Sequence, residues 1–222
     1  MQRWFLVGAA GGLLALPGWC QGEAATPTLE LSTRTFGGRE GVTYYGASLE
    51  RSGWFLRGVG AKKGASVEAG KATLLRGGSD FEFGGTLPEW HGLTPQLGVS
   101  LPDTGSRRQK GAITARLRWA QGMFWVEPQA VLGRDALVGI AIGAAKSLGG
   151  FTLSGSLTPI VNGKNGVNET TGAANRKTLW EAGITRGSVT VGATNALGTT
   201  TGFGLSPSVG GIAVLVKVKV KL

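Results

Sequence analysis

The chain has 222 residues, one histidine, one cysteine and 40 glycines, and 23 Lys and Arg against 13 Asp and Glu give a formal net charge of +10. So much glycine works against helix, and one cysteine excludes a disulfide framework within the chain. The cationic excess is spread over alternating segments and turns, with no basic helix and no known binding motif, which argues against nucleic acid as a partner.

Residues 1–24 read as an export signal. Arg3 supplies a positive start, and Trp4 to Leu16 form an apolar run too short to span a membrane as a helix. Pro17 and Gly18 end the run, and the small residues Gly22 and Ala24 place the cleavage after Ala24. Cys20 falls inside this signal and follows Trp19, not the small residue expected before a lipoprotein cysteine. Residues 25–222 then form one domain.

That domain reads as short alternating strands between turns. In its first half, strand-like stretches lie at 28–36, 42–50, 54–62, 66–75, 80–87 and 94–101. The glycine pairs Gly37-Gly38 and Gly77-Gly78 fall in turns, and a Pro/Trp/His corner covers 88–93. Four consecutive hairpin strands follow. Ile113, Ala115, Leu117 and Trp119 share a face opposite Thr114, Arg116 and Arg118. Phe124, Val126, Ala130 and Leu132 oppose Glu127 and Gln129. Val138, Ile140, Ile142 and Ala144 oppose Gly139, Ala141 and Gly143. Phe151, Leu153, Gly155 and Leu157 oppose Thr152, Ser154, Ser156 and Thr158.

Beyond the polar loop Asn162 to Lys177, two more strands run through Trp180–Thr185 and Ser188–Thr194. A Gly/Thr/Ser-rich loop, Gly198 to Gly210, leads to the last one. There Ile212, Val214, Val216, Val218, Val220 and Leu222 alternate with Ala213, Leu215, Lys217, Lys219 and Lys221. A period of two sets aliphatics on one face and lysines on the other. The stretches number thirteen, whereas a bacterial barrel uses an even number. Taking 28–36 as a lead-in gives an all-β, antiparallel up-and-down transmembrane β-barrel of about twelve strands, with ten as the alternative.

Alternation alone does not say which face meets lipid. Bulky aromatics at strand ends do. Trp54, Trp119, Phe124 and Trp180, with Phe55 and Phe151, sit where an interfacial girdle would. The opposite face mixes Gly, Ala, Ser and Thr with charges, which suits a narrow hydrated lumen. In these respects the chain resembles Gram-negative outer-membrane β-barrel proteins as a class, from about Val42 to Leu222. The resemblance implies a place in the bacterial outer membrane, contact with its lipids, and recognition of the C-terminal strand by the barrel assembly machinery. The class usually ends in an aromatic residue, and here the end is Leu222.

No catalytic set is visible. His91, in Glu89-Trp90-His91-Gly92, reads as a corner residue beside an interfacial tryptophan, at the end opposite known rim chemistry. Asp80, Glu82, Asp103 and Asp135 lack the spacing of a calcium loop, so neither a metal nor a cofactor is expected. The cationic inward set is more suggestive. Arg57, Arg116, Arg118, Lys217, Lys219 and Lys221 face Glu127 and Glu181, with Glu50 or Glu68. Such charges either line an ion path or pair across strands and fill the lumen. The expected function is a non-enzymatic, narrow, anion-leaning porin-like channel or a structural envelope protein. Two alternatives are a surface receptor or adhesin acting through loops 102–111, 162–177 and 198–210, and a soluble exported barrel binding an apolar ligand.

Overall fold

The computed structural model describes residues 26–37, 42–51, 53–61, 78–103, 111–133, 136–167, 171, 173–207 and 211–222. The expected export signal and the stretch 66–75 lie outside them. The first nine strands are β1 (Thr28–Phe36), β2 (Val42–Arg51), β3 (Trp54–Ala61), β4 (Ser79–Thr86), β5 (Leu93–Asp103), β6 (Ala112–Gln121), β7 (Phe124–Leu132), β8 (Leu137–Leu148) and β9 (Phe151–Thr158). Next come the short β10 (Ile160–Asn162) and a two-stranded ribbon of β11 (Gly166–Val167) and β12 (Ala174–Asn175). The chain then forms β13 (Leu179–Arg186), β14 (Val189–Thr194), the single turn of helix α1 (Thr201–Gly204), and β15 (Ala213–Lys221).

Each long strand pairs antiparallel with its chain neighbour, and β13 takes the place beside β9. Closure comes from β15, which pairs with both β14 and β1, the latter from Thr28↔Lys221 to Phe36↔Ala213. The result is a closed twelve-strand up-and-down barrel. Closure leaves no open edge, which is what a sheet needs if it is to cross lipid. Residues 28–36 are therefore a wall strand and no lead-in. The ring closes at twelve without 66–75, because β3 pairs directly with β4. Pro159 interrupts the line of β9 and β10 along β8, and its carbonyl still accepts from Ile140 N at 3.1 Å.

The period-two pattern sorts as apolar outside and polar inside. Ile113, Ile142, Val191 and Val214 each leave more than half of their surface exposed, whereas Ser32, Arg57, Glu82 and Thr114 are buried. An apolar belt this continuous is a surface that water does not tolerate well. Trp54, Trp119 and Phe124 lie on the outer face at the short-turn end, with Trp180 outward at the opposite end. Phe55 departs from the expected girdle. It is one residue out of phase with Trp54, points into the lumen and is 2% exposed.

Both chain ends of the barrel, and the tight turns around Gly53, Gly122, Gly149 and Gly187, share one end. The 88–93 corner lies there too, closed by a Trp90↔Leu93 bridge. His91 adopts φ 50 and stacks edge-on against Trp90 at 4.9 Å. The longer connections, including 195–212, emerge at the other end.

The lumen and its inward segment as the candidate functional site

The connection from β14 to β15 was expected as a surface loop. Its described residues instead fold into the barrel. Leu197, Thr200, Thr201, Phe203 and Leu205 are all fully or almost fully buried. Apolar residues inside a Gly/Thr segment explain the direction. Leu197 and Phe203 join Phe36, Tyr44, Val59 and Ala213 on the β1–β3 and β15 side, while Leu205 joins Ile160 and Leu179 across the lumen. Tyr44 holds the Phe203 ring edge-on at 6.2 Å. The segment braces the barrel from wall to wall.

Its polar atoms seal it to a third wall. Thr200 Oγ1 donates to Asp80 Oδ2 at 2.5 Å, and Thr201 Oγ1 donates to Glu82 Oε1 at 2.6 Å. Thr201 N also donates to Glu82 Oε2 at 2.8 Å. From the strands, Ser100 donates to Asp80 and Thr114 to Glu82, both at 2.6 Å. Arg116 reaches across to the segment, donating from Nε to Thr201 Oγ1 at 2.8 Å and from Nη2 to Thr199 O at 3.2 Å. Buried carboxylates persist only when hydrogen-bonded or paired, so these two acids need the threonines as much as the segment needs the acids. Thr200 also caps α1, accepting from Phe203 N. From the neighbouring loop, the Asn165 side chain donates to Leu205 O at 3.0 Å and Lys177 O at 2.9 Å.

The expected charge set is brought together in two groups. In the first, Arg57 Nη2 donates to Glu50 at 2.8 Å and to Gln96 at 2.9 Å, with its guanidinium 4.1 Å above the Phe55 ring. Arg116 and Arg118 flank Glu127 at 3.7 and 3.6 Å, and Arg118 stacks over Trp125 at 4.8 Å. Trp125 can lie against the wall because position 143 is glycine: a Cβ there would collide with its ring. In the second group, Lys217 bonds to Glu181, which also faces the buried Arg34 at 3.6 Å. Lys219 and Lys221 share the inward face nearer the chain ends, are exposed, and make no ion pair with a described residue. Glu68 lies outside the described residues.

Arg34, Asp80 and Glu82 were missed as members of this network. The signal was present in β4, where Asp80 and Glu82 occupy one face and Phe81 and Phe83 the other. Two acids on one strand face are meaningful in a lumen, although their spacing means nothing for calcium. Among the described residues, no three His, Cys, Asp or Glu side chains are grouped to hold a metal ion.

Toward the short-turn end the lumen opens. Its wall there carries Thr152, Ser154, Gly183 and Thr185 on one side and a cavity of about 300 Å³ beside the arginines on the other. Comparison of the chain with protein-family models, curated proteins and solved structures gave no match, so its functional reading rests on this geometry.

Proposed function

We propose that the protein is a small bacterial outer-membrane β-barrel, assembled through its C-terminal strand, that works as a narrow, anion-leaning channel closed at rest by the segment Leu197–Leu205. The observation that carries this reading is the segment itself. It crosses the lumen on three apolar side chains and is latched by threonine hydroxyls to two carboxylates. On the described inner face Arg34, Arg57, Arg116, Arg118, Lys217, Lys219 and Lys221 stand against Glu30, Glu50, Asp80, Glu82, Glu127 and Glu181, a one-charge cationic excess that leans toward anions. A twelve-strand barrel leaves little spare width, so one inward turn of helix is enough to block the path. The receptor reading retains loop 162–177 and loop 102–111, most of which lies outside the described residues, while the described part of 198–210 is inside.

Purified protein in planar lipid bilayers tests the proposal. The expected result is a mostly silent barrel with rare stepwise openings, and frequent anion-preferring openings when residues 198–206 are replaced by a short glycine linker. Silence of the linker variant, folded by gel heat-modifiability, would leave a structural envelope protein.

A further inference from the structure

We infer that the outer face of the barrel, at its short-turn end, carries a headgroup site for an anionic phospholipid built on Lys146 and Arg186. Register places the two cations together. Lys146 of β8 lies in one row with Leu153 of β9 and Ile184 of β13. One row nearer the turns, Leu148 pairs with Phe151, and Arg186 lays its guanidinium over the Phe151 ring at 5.1 Å. Such stacking holds a cation by the face of the ring. It draws the Arg186 charge across β9 toward the strand that carries Lys146. Both side chains are exposed and share the outward face with Ile142, Leu153 and Ile184.

That face has no acid to answer them. Glu181 is the single acid in the sequences of β8, β9 and β13, and it points into the lumen and bonds to Lys217. Among the described residues, neither Lys146 nor Arg186 makes an ion pair. Long basic side chains near the end of a membrane-facing element extend to the headgroup layer, where a phosphate supplies the missing partner. The arginine fork takes two phosphate oxygens, and the lysine adds a point charge. Ile142, Leu153, Leu157 and Ile184, each more than two-fifths exposed, give the acyl chains an apolar strip leading away from the cations.

Charge also selects among phospholipids. A headgroup that carries an ammonium would need an acid beside the phosphate site, and this face offers none. A headgroup of phosphate and hydroxyls alone, as in phosphatidylglycerol, leaves no charge unanswered. Arg51 provides the comparison within the same molecule. It too is outward and exposed at the short-turn end, paired in register with Trp54, but the outward faces of β1, β2 and β3 hold no second cation beside it.

The site rests on the outer-membrane reading of the barrel and does not require conduction. Lipid retention without conductance would remove the channel alone, and a conducting barrel without lipid preference would remove the site alone. The test is native mass spectrometry of the barrel in neutral detergent micelles, given equal amounts of phosphatidylglycerol and phosphatidylethanolamine. Expected is retention of a single phosphatidylglycerol, preferred about tenfold over phosphatidylethanolamine, with the preference lost in the Lys146→Gln, Arg186→Gln double variant and unchanged in Arg51→Gln. Arg186→Lys, which keeps the charge and loses the fork and the stacking, covers the case in which the double variant fails to fold, and it should retain less lipid than wild type. Excess water-soluble glycerol phosphate should not displace the lipid, because it has no chains for the apolar strip. Equal retention of the two lipids by the wild-type barrel, wild-type preference in the folded double variant or in Arg186→Lys, an equal loss in Arg51→Gln, or displacement by glycerol phosphate would overturn the assignment.

Discussion

Thr201→Val removes one hydroxyl and keeps the shape of the side chain. That hydroxyl donates to Glu82 Oε1 at 2.6 Å and accepts from Arg116 Nε at 2.8 Å, so a single atom ties the inward segment to both signs of buried charge. A hydrogen bond to a charged group contributes about 1.5–3 kcal/mol. Losing two should weaken closure by about 3 kcal/mol, allowing for the Thr201 N bond and the Thr114 hydroxyl that still serve Glu82. At about 1.4 kcal/mol per tenfold, the open fraction should rise on the order of 100-fold. The apolar anchors Leu197, Phe203 and Leu205 remain, each adding about 1.5–3 kcal/mol of burial, so the variant should flicker and not stay open. Phe203→Ala is the companion perturbation, with an expected loss of about 3–5 kcal/mol. Single-channel recording reads both as higher open probability at unchanged unit conductance. Folded variants with wild-type silence, or with wild-type opening frequency, would refute the latch.

The wall assignment predicts that Ile142→Arg blocks assembly, because a cation at bilayer mid-depth on the lipid face costs about 2–4 kcal/mol, while the lumen-facing Thr152→Arg still yields a heat-modifiable band. The reverse order of severity would mean the faces are assigned backwards. Glu181→Gln should destabilise the barrel by about 3 kcal/mol, since it leaves the buried Arg34 without its carboxylate, whereas Lys217→Gln, at a partly exposed pair, should cost under about 1 kcal/mol. Urea midpoints of the two variants check that ranking. In the Thr201→Val barrel, reversal potentials should show anion preference at 0.1 M salt and lose most of it at 1 M, as the screening length falls from about 10 to 3 Å.

The wall was legible because it depends on a pattern. Period-two alternation in 113–119, 137–145 and 212–222 carries both strand identity and face, and closure at twelve follows from the need to pair every edge. Counting failed at 28–36, where Thr33, Arg34 and Thr35 dilute the apolar alternation, although pairing to β15 and β2 defines the strand. The inward segment was less legible. Residues 195–207 look like a polar loop by composition, and only the three-dimensional ring shows that Leu197, Phe203 and Leu205 have apolar walls to reach. Likewise Arg34, Asp80 and Glu82 acquire partners from distant strands: Glu82 and Thr201 are 119 positions apart. The charge expected for a channel was seen, but its pairing was not, because pairing depends on register and register on closure.

Thiol accessibility in lipid vesicles tests the central claim most directly, using a chain with Cys20 replaced by serine and one new cysteine at a time. Ala213 is fully buried on β15 beneath Leu197 and Phe203, while Ser154 faces the open part of the lumen. With a charged, lipid-insoluble thiol reagent, Ser154→Cys should react at once. Ala213→Cys should stay protected in the folded barrel and become reactive when residues 198–206 are replaced by a glycine linker. Equal, immediate reaction at both positions would contradict a lumen closed by its own inward segment.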